Sequence, residues 1–403
     1  MLRRSFFLVL LLTLNLLPGI HVDAQAEPPS MTAEYKFDEW IRIQLETKDL
    51  PNLKGIQIFL QSEGDSNTWS SPFLVPNAGQ VSYQFDPAEL NIRAFTNLFY
   101  WYEITQNDGN IISGPKQPLN YEDNRFEWKQ RSQNGFEVYW HTGDSAFAQN
   151  ILDTAQLGLE KMQTIIPVSS PAKVRIYVYD NPLDLRDTLR SSGRNWVGAH
   201  TDPDLGVMVV SLPPGPEQRL EMERQIPHEL MHILLYEKLG PAYVNLPTWL
   251  NEGLASIAEL YPNPDSLILL ESSQKKDNLF PITSLCNAFP REPAGAYLAY
   301  AEAASFTRFI QLQYGSILLD QIVRQYANGL DCERGFEIAL GKTLSQVERE
   351  WQREALGDDP WITALKNLAP WLVLMVAILF VPVTLVFATL RSRPAPGKPA
   401  IKK

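Results

Sequence analysis

Two histidines four residues apart, with a glutamate beside the first, are the side chains of this sequence best suited to chemistry. They lie in Ile226-Pro-His-Glu-Leu-Met-His-Ile-Leu-Leu235. Helix positions i and i+4 share a face, so the imidazoles of His228 and His232 can reach one metal ion. Glu229 sits next to them, where its carboxylate could take a proton from a water molecule polarised by that metal. The chain has only 5 histidines, and a chance match to this spacing is expected in well under about one case in a hundred. Pro227 suits a first helical turn, so the pattern predicts a helix starting there, with 217–225 a separate turn or helix.

A catalytic zinc takes three protein ligands and leaves a fourth position open. The third ligand can be sought downstream, in Pro247-Thr-Trp-Leu-Asn-Glu-Gly-Leu-Ala-Ser-Ile-Ala-Glu259. Thr248 reads as a helix N-cap, and Leu250, Leu254 and Ile257 recur with helical spacing. Glu252 projects from that helix. A purely structural zinc takes four protein ligands and has no use for a carboxylate at Glu229, so the set reads as catalytic.

His228-Glu229-x-x-His232 followed by Asn251-Glu252-Gly253-x-Ala255 resembles the gluzincin metallopeptidases, and within them the small peptidase MA-like domains. The resemblance covers about Phe126 to Leu356, including Tyr297-Leu-Ala-Tyr300-Ala-Glu-Ala-Ala-Ser-Phe306 and Gly335-Phe-x-x-Ala-Leu-Gly341 to Trp351. It implies one Zn2+ per chain, held by His228, His232 and Glu252, and hydrolysis of a protein or peptide with Glu229 as general base. Glu259 matches a glutamate of the aminopeptidase N branch and would hold a histidine ligand from behind. Tyr300 is the candidate donor to the oxyanion, with Tyr297 the runner-up. The resemblance also implies a substrate bound as an added strand on a sheet edge, which Val207 to Leu212 is expected to supply. The chain departs from two branches: no G-x-M-E-N segment precedes the zinc helix, which favours an endopeptidase over an aminopeptidase, and no Asp stands four residues after Glu252, where thermolysin has one. The competing reading is a non-catalytic surface binding module or adhesin that retains a metal site.

The elements that must position these residues form an α+β chain. Short alternating runs such as Ile41–Leu45, Gly55–Leu60, Val81–Phe85 and Phe99–Ile104, parted by turn residues, predict an all-β, immunoglobulin-like sandwich over 30–120. A zincin-like peptidase domain is expected over 124–357. Its strands are Gly135–Trp140, Lys173–Tyr179 and Gly206–Leu212, with a helix from Asp144 to Ile165 and helical periodicity after Glu217. Outside the zinc pattern, His141 and His200 read as ordinary histidines, and His21 lies in the leading segment.

A net charge of -11 excludes nucleic acid as a partner, since phosphate binding needs a basic surface. Residues 1–24, with Arg3-Arg4, an apolar run and Val22-Asp-Ala24, read as a cleaved secretory signal. After a linker at 358–368, the uncharged run 369–390 is long enough to cross a bilayer. The basic tail at 391–403 places that end in the cytoplasm. The expectation is a single-pass protein of a bacterial cell surface with its catalytic part outside. Cys286 and Cys332, the only cysteines, would be either a disulfide or two buried thiols in that compartment.

Overall fold

The computed structural model describes residues 29–48, 50, 52–190, 198–357, 368–372, 374–376 and 378. The chain separates into two compact units, one up to Arg125 and one from Phe126. The expected signal, the basic tail, and most of the linker and of the expected span lie outside the described residues. Among those described, no helix is long and apolar enough to cross a membrane.

The first unit is all antiparallel sheet. One sheet orders β1 (Met31–Lys36), β2 (Trp40–Glu46) and β5 (Gln80–Phe85) as β1-β2-β5. The other runs β4-β3-β6-β7, from β3 (Leu53–Ser62), β4 (Thr68–Ser70), β6 (Thr96–Gln106) and β7 (Ile111–Ser113), with β8 (Gln117–Tyr121) also on β6. Period-two alternation sends Ile41, Ile43 and Leu45 inward from β2, and Leu98, Tyr100, Tyr102 and Ile104 inward from β6.

The second unit opens with β9 (Lys129–Gln133), β10 (Phe136–Trp140), α1 (Ser145–Ile165), β11 (Val174–Tyr179), α2 (Pro182–Thr188), β12 (Ala199–Asp202) and β13 (Val207–Ser211). Its sheet is ordered β12-β13-β11-β10-β9. The three middle strands are parallel and both outer strands antiparallel. Val138 and Trp140 of β10 and Ile176 and Val178 of β11 join Ile151, Leu152 and Leu159 of α1 in the main core. On the opposite face Trp128 meets Tyr177 and Tyr179 edge-on, and His141 stacks on Phe126 at 4.3 Å. That aromatic setting accounts for His141 as a packed histidine.

Helices follow: α3 (Gln218–Leu239), α4 (Thr248–Ala258), α5 (Asp265–Lys275), α6 (Pro293–Ala327), α7 (Cys332–Leu340) and α8 (Leu344–Ala355). Trp249 of α4 packs on Phe306 of α6 and Phe336 of α7, and Phe306 meets Trp351 of α8. Cys286 and Cys332 form a disulfide with a Cα–Cα distance of 6.2 Å.

Three local expectations are corrected. Val207–Ser211 is not the sheet edge, because β12 pairs with it and takes that place. The four-residue run of β12 is too short, and too polar at His200 and Asp202, to show as a strand in the sequence. The helix does not begin at Pro227 but runs through it. Thr248 is not the N-cap: Pro247 precedes the helix, and the Thr248 hydroxyl donates to the Asn287 carbonyl instead.

Candidate metal centre

A proline inside a helix leaves the carbonyl four residues earlier without its amide partner. For Pro227 that carbonyl belongs to Glu223, and it accepts the Leu260 N–H at 2.9 Å. The outside donor lets α3 continue, and it ties the helix to the chain just beyond Glu259. Gly158 of α1 brings the two helices together here, since a Cβ on it would lie 3.1 Å from the Pro227 ring. Buried Ile226, Leu230, Met231 and Ile233 to Leu235 hold α3 in the core. His228 and His232 are thereby turned toward α4.

Glu252 meets them from α4. Its Oε2 lies 3.4 Å from His228 Nε2 and 3.8 Å from His232 Nε2. One ligand atom from each of the three residues falls within 4.8 Å of the others. Zinc bonds of about 2.0–2.2 Å at tetrahedral angles set ligand atoms about 3.4 Å apart, so the spacing suits such an ion.

The outward-facing nitrogens carry the same message. His228 Nδ1 is 3.1 Å from Glu259 Oε1, an acceptor, so Nδ1 carries a proton and Nε2 is the nitrogen turned toward Glu252. Asn251 Oδ1 lies 3.2 Å from His232 Nδ1. The Asn251 amide donates to the Tyr243 hydroxyl at 2.9 Å, and that hydroxyl stands 3.1 Å from His232 Nδ1. Burial raises the Tyr243 pKa, so its oxygen stays protonated. These partners orient the two imidazoles.

Charge favours a cation as well. Glu229, Glu252 and Glu259 surround His228. Burial alone would lower the His228 pKa, but hydrogen bonds to Glu252 and Glu259 and the Glu229 charge carry it well above the usual imidazole value. Burial pushes the Glu252 carboxyl up, yet the two histidines and a hydrogen bond from Tyr300 leave it below its ordinary value. Three carboxylates around one imidazole make a setting that suits a cation.

Glu229 turns to the sheet. Thr201 of β12 places its Oγ1 2.5 Å from Glu229 Oε2. Tyr300 of α6 bonds to Glu252 and lies with its ring centroid 6.3 Å from that of His228. Phe289 packs edge-on against Tyr300 at 5.0 Å. Tyr297, one helical turn earlier, is exposed. His200 is half exposed, 3.8 Å from an oxygen of Asp202.

The architecture therefore gathers His228, Glu229, His232, Glu252, Glu259 and Tyr300 in one place. Cys286 is near in a different sense: its carbonyl accepts the Thr248 N–H at 2.8 Å, holding the start of α4. Sequence reasoning missed Thr201, Tyr243 and Lys161. Lys161 of α1 donates to the Glu259 carbonyl and so braces the end of α4. Thr201 and Tyr243 lie in no periodic motif, and Lys161 reads only as a polar position of α1, although Asn251 was visible beside Glu252.

Comparison with known proteins gives a family and several remote structural likenesses. No curated protein matches the chain. The solved structures include a polysaccharide deacetylase from Bacillus cereus, at 14% identity, covering 41% of this chain and 56% of that one, with a TM-score of 0.21. An M1 zinc metallopeptidase from Deinococcus radiodurans shares 13%, with 77% and 62% covered and a TM-score of 0.34. An aminopeptidase N family protein from Idiomarina loihiensis shares 11%, with 84% and 75% covered and a TM-score of 0.36. The chain spans just over half of that deacetylase and less than two thirds of that metallopeptidase. The family model for the peptidase MA superfamily matches residues 154–356, half of the sequence. The chain belongs to the peptidase MA superfamily.

Proposed function

We propose that this protein is a zinc-dependent peptidase, with His228, His232 and Glu252 holding the metal and Glu229 acting as general base. The observation that carries the reading is the convergence of two Nε2 atoms and one carboxylate oxygen, with both Nδ1 atoms facing acceptors. Zinc held there would lower the pKa of a water molecule to about 7 and draw charge from a scissile carbonyl. Glu229 takes the proton of the attacking water and returns it to the leaving amine. Tyr300 offers its hydroxyl to the oxyanion as negative charge develops. Glu259 and Asn251 keep the imidazoles in register.

Hydrolysis within a chain rather than at its end is the preferred mode. β12 sends neutral Thr201 toward the site, so that side chain offers no charge to a substrate's terminal ammonium group. An extended peptide would add to β12 through main-chain hydrogen bonds. The N-terminal sheets are read as an immunoglobulin-like sandwich that serves as spacer or binding module. The apolar run 369–390 is read as a membrane anchor, with the peptidase unit outside and the basic tail in the cytoplasm.

The full chain would be assayed for zinc and for cleavage of quenched fluorescent peptides, beside Glu229→Gln. Zinc near one per chain, with cleavage lost only in the variant, supports the mechanism. Zinc in both with cleavage in neither would favour a binding module that keeps a metal site.

A further inference from the structure

Resting on the peptidase reading, we propose that Thr201 is a positioning residue that ties the general base to the strand on which the substrate main chain lies. Its hydroxyl is held within β12 and donates to Glu229. The single hydroxyl proton has two acceptors in reach, Glu229 Oε2 at 2.5 Å and the Glu229 carbonyl at 3.4 Å, and the shorter contact takes it. One carboxylate oxygen is thereby fixed, and the other is left to receive the proton of the attacking water. Thr201 is buried, so water competes little for either partner.

The backbone of the same residue faces the other way. The Ser211 N–H donates to the Gly198 carbonyl at 2.8 Å, and β12 pairs antiparallel with β13, Thr201 opposite Met208. In such a ladder, hydrogen-bonded and non-bonded pairs alternate. Gly198, His200 and Asp202 therefore turn their main-chain groups toward β13, while Ala199 and Thr201 turn theirs to the open side. Among the described residues no strand pairs with that side. A peptide seated on this edge hydrogen-bonds to the backbone of the very residue whose side chain aims the base. The distance from scissile bond to base is then set within one residue. Misplacement of a catalytic group by about 1 Å can cost on the order of 100-fold in rate.

The test uses the full chain, with Thr201→Val, Thr201→Ser, Glu229→Gln and the double variant Thr201→Val/Glu229→Gln. Valine keeps the shape and the backbone but removes the donor. Its kcat should fall about 10–100-fold with KM, zinc content and melting temperature little changed, and serine should recover most of the loss. In the Glu229→Gln background, Thr201→Val should leave residual turnover and peptide binding, read by fluorescence anisotropy, unaltered. A Thr201→Val protein with parental kcat overturns the proposal. So does an equal loss in the Glu229→Gln background, because Thr201 would then act through something other than the base. A parent that binds zinc yet cleaves nothing removes the peptidase reading and this role together.

Discussion

Replacing Gly253 by alanine would place a methyl group 2.1 Å from Thr307 Oγ1, 2.6 Å from the Ala303 carbonyl oxygen and 3.0 Å from Thr307 Cβ. Two effects of opposite sign compete. Alanine is favoured over glycine in a helix by up to about 1 kcal/mol. Overpacking at a tight contact costs about 1–3 kcal/mol, and the Ala303 oxygen is backbone that cannot rotate away. The clash wins because contacts settle near about 3.5 Å, so α4 must move off α6 by on the order of 1 Å. Glu252 is the neighbouring residue and moves with it. A metal site tolerates about 0.2 Å, so zinc affinity should fall by on the order of 10- to 100-fold. The melting temperature should drop by several degrees, at about 2–4 °C per kcal/mol. Competition with a chromophoric chelator and a thermal melt of the metal-free protein read the two effects separately. Adding Thr307→Ala should restore only part of each loss, because the Ala303 carbonyl remains. A Gly253→Ala protein with parental zinc affinity and melting temperature would refute the claim that this close approach sets Glu252.

Further expectations concern the groups behind the ligands, the core and the disulfide. Glu259→Ala and Asn251→Ala should each weaken zinc about 10- to 100-fold by chelator competition while the apo fold persists; unchanged affinity would show that the Nδ1 partners do not matter. Glu302 is fully buried, its Oε1 accepting the Phe280 N–H at 3.0 Å. Burial chiefly raises its pKa to about 8, with the Phe280 N–H opposing and Glu348 adding. The folded state thus holds a proton that the unfolded chain releases near the ordinary carboxylate value. The stability tied to it is full below that value and is lost as pH rises toward 8. Glu302→Gln should therefore gain stability relative to the parent between pH 5 and pH 8 in urea unfolding, and parallel profiles would contradict this. The Cys286–Cys332 link spans a sequence separation of 46, worth about 4 kcal/mol in the chain-entropy model. The double serine variant should melt lower and bind zinc less tightly, since Cys286 holds the start of α4; a loss of stability with intact zinc binding would separate the two roles.

The convergence of His228, His232 and Glu252 was legible in the sequence because i, i+4 spacing is local, and Glu252 followed from the helical pattern and the resemblance around it. What positions those residues was less so. Pro227 reads as a helix start because a proline normally costs a helix its hydrogen bond; only the tertiary donor at Leu260 cancels that. The sheet edge was misplaced for a similar reason. Val207–Ser211 is fully buried and strongly β-forming, whereas Ala199–Asp202 is short, polar and recognisable only by its pairing with β13. Tyr243 sits in a 3-10 turn with no periodicity to mark it, yet it shares His232 with Asn251. The β-rich first unit was readable through its period-two alternation. Of the two possibilities for the cysteines, the structure selects the disulfide.

The most direct test is zinc content and peptide cleavage of the full chain, measured together with Glu229→Gln. Close to one zinc is expected in both proteins, with turnover in the parent alone. A folded parent that takes up no zinc would contradict this.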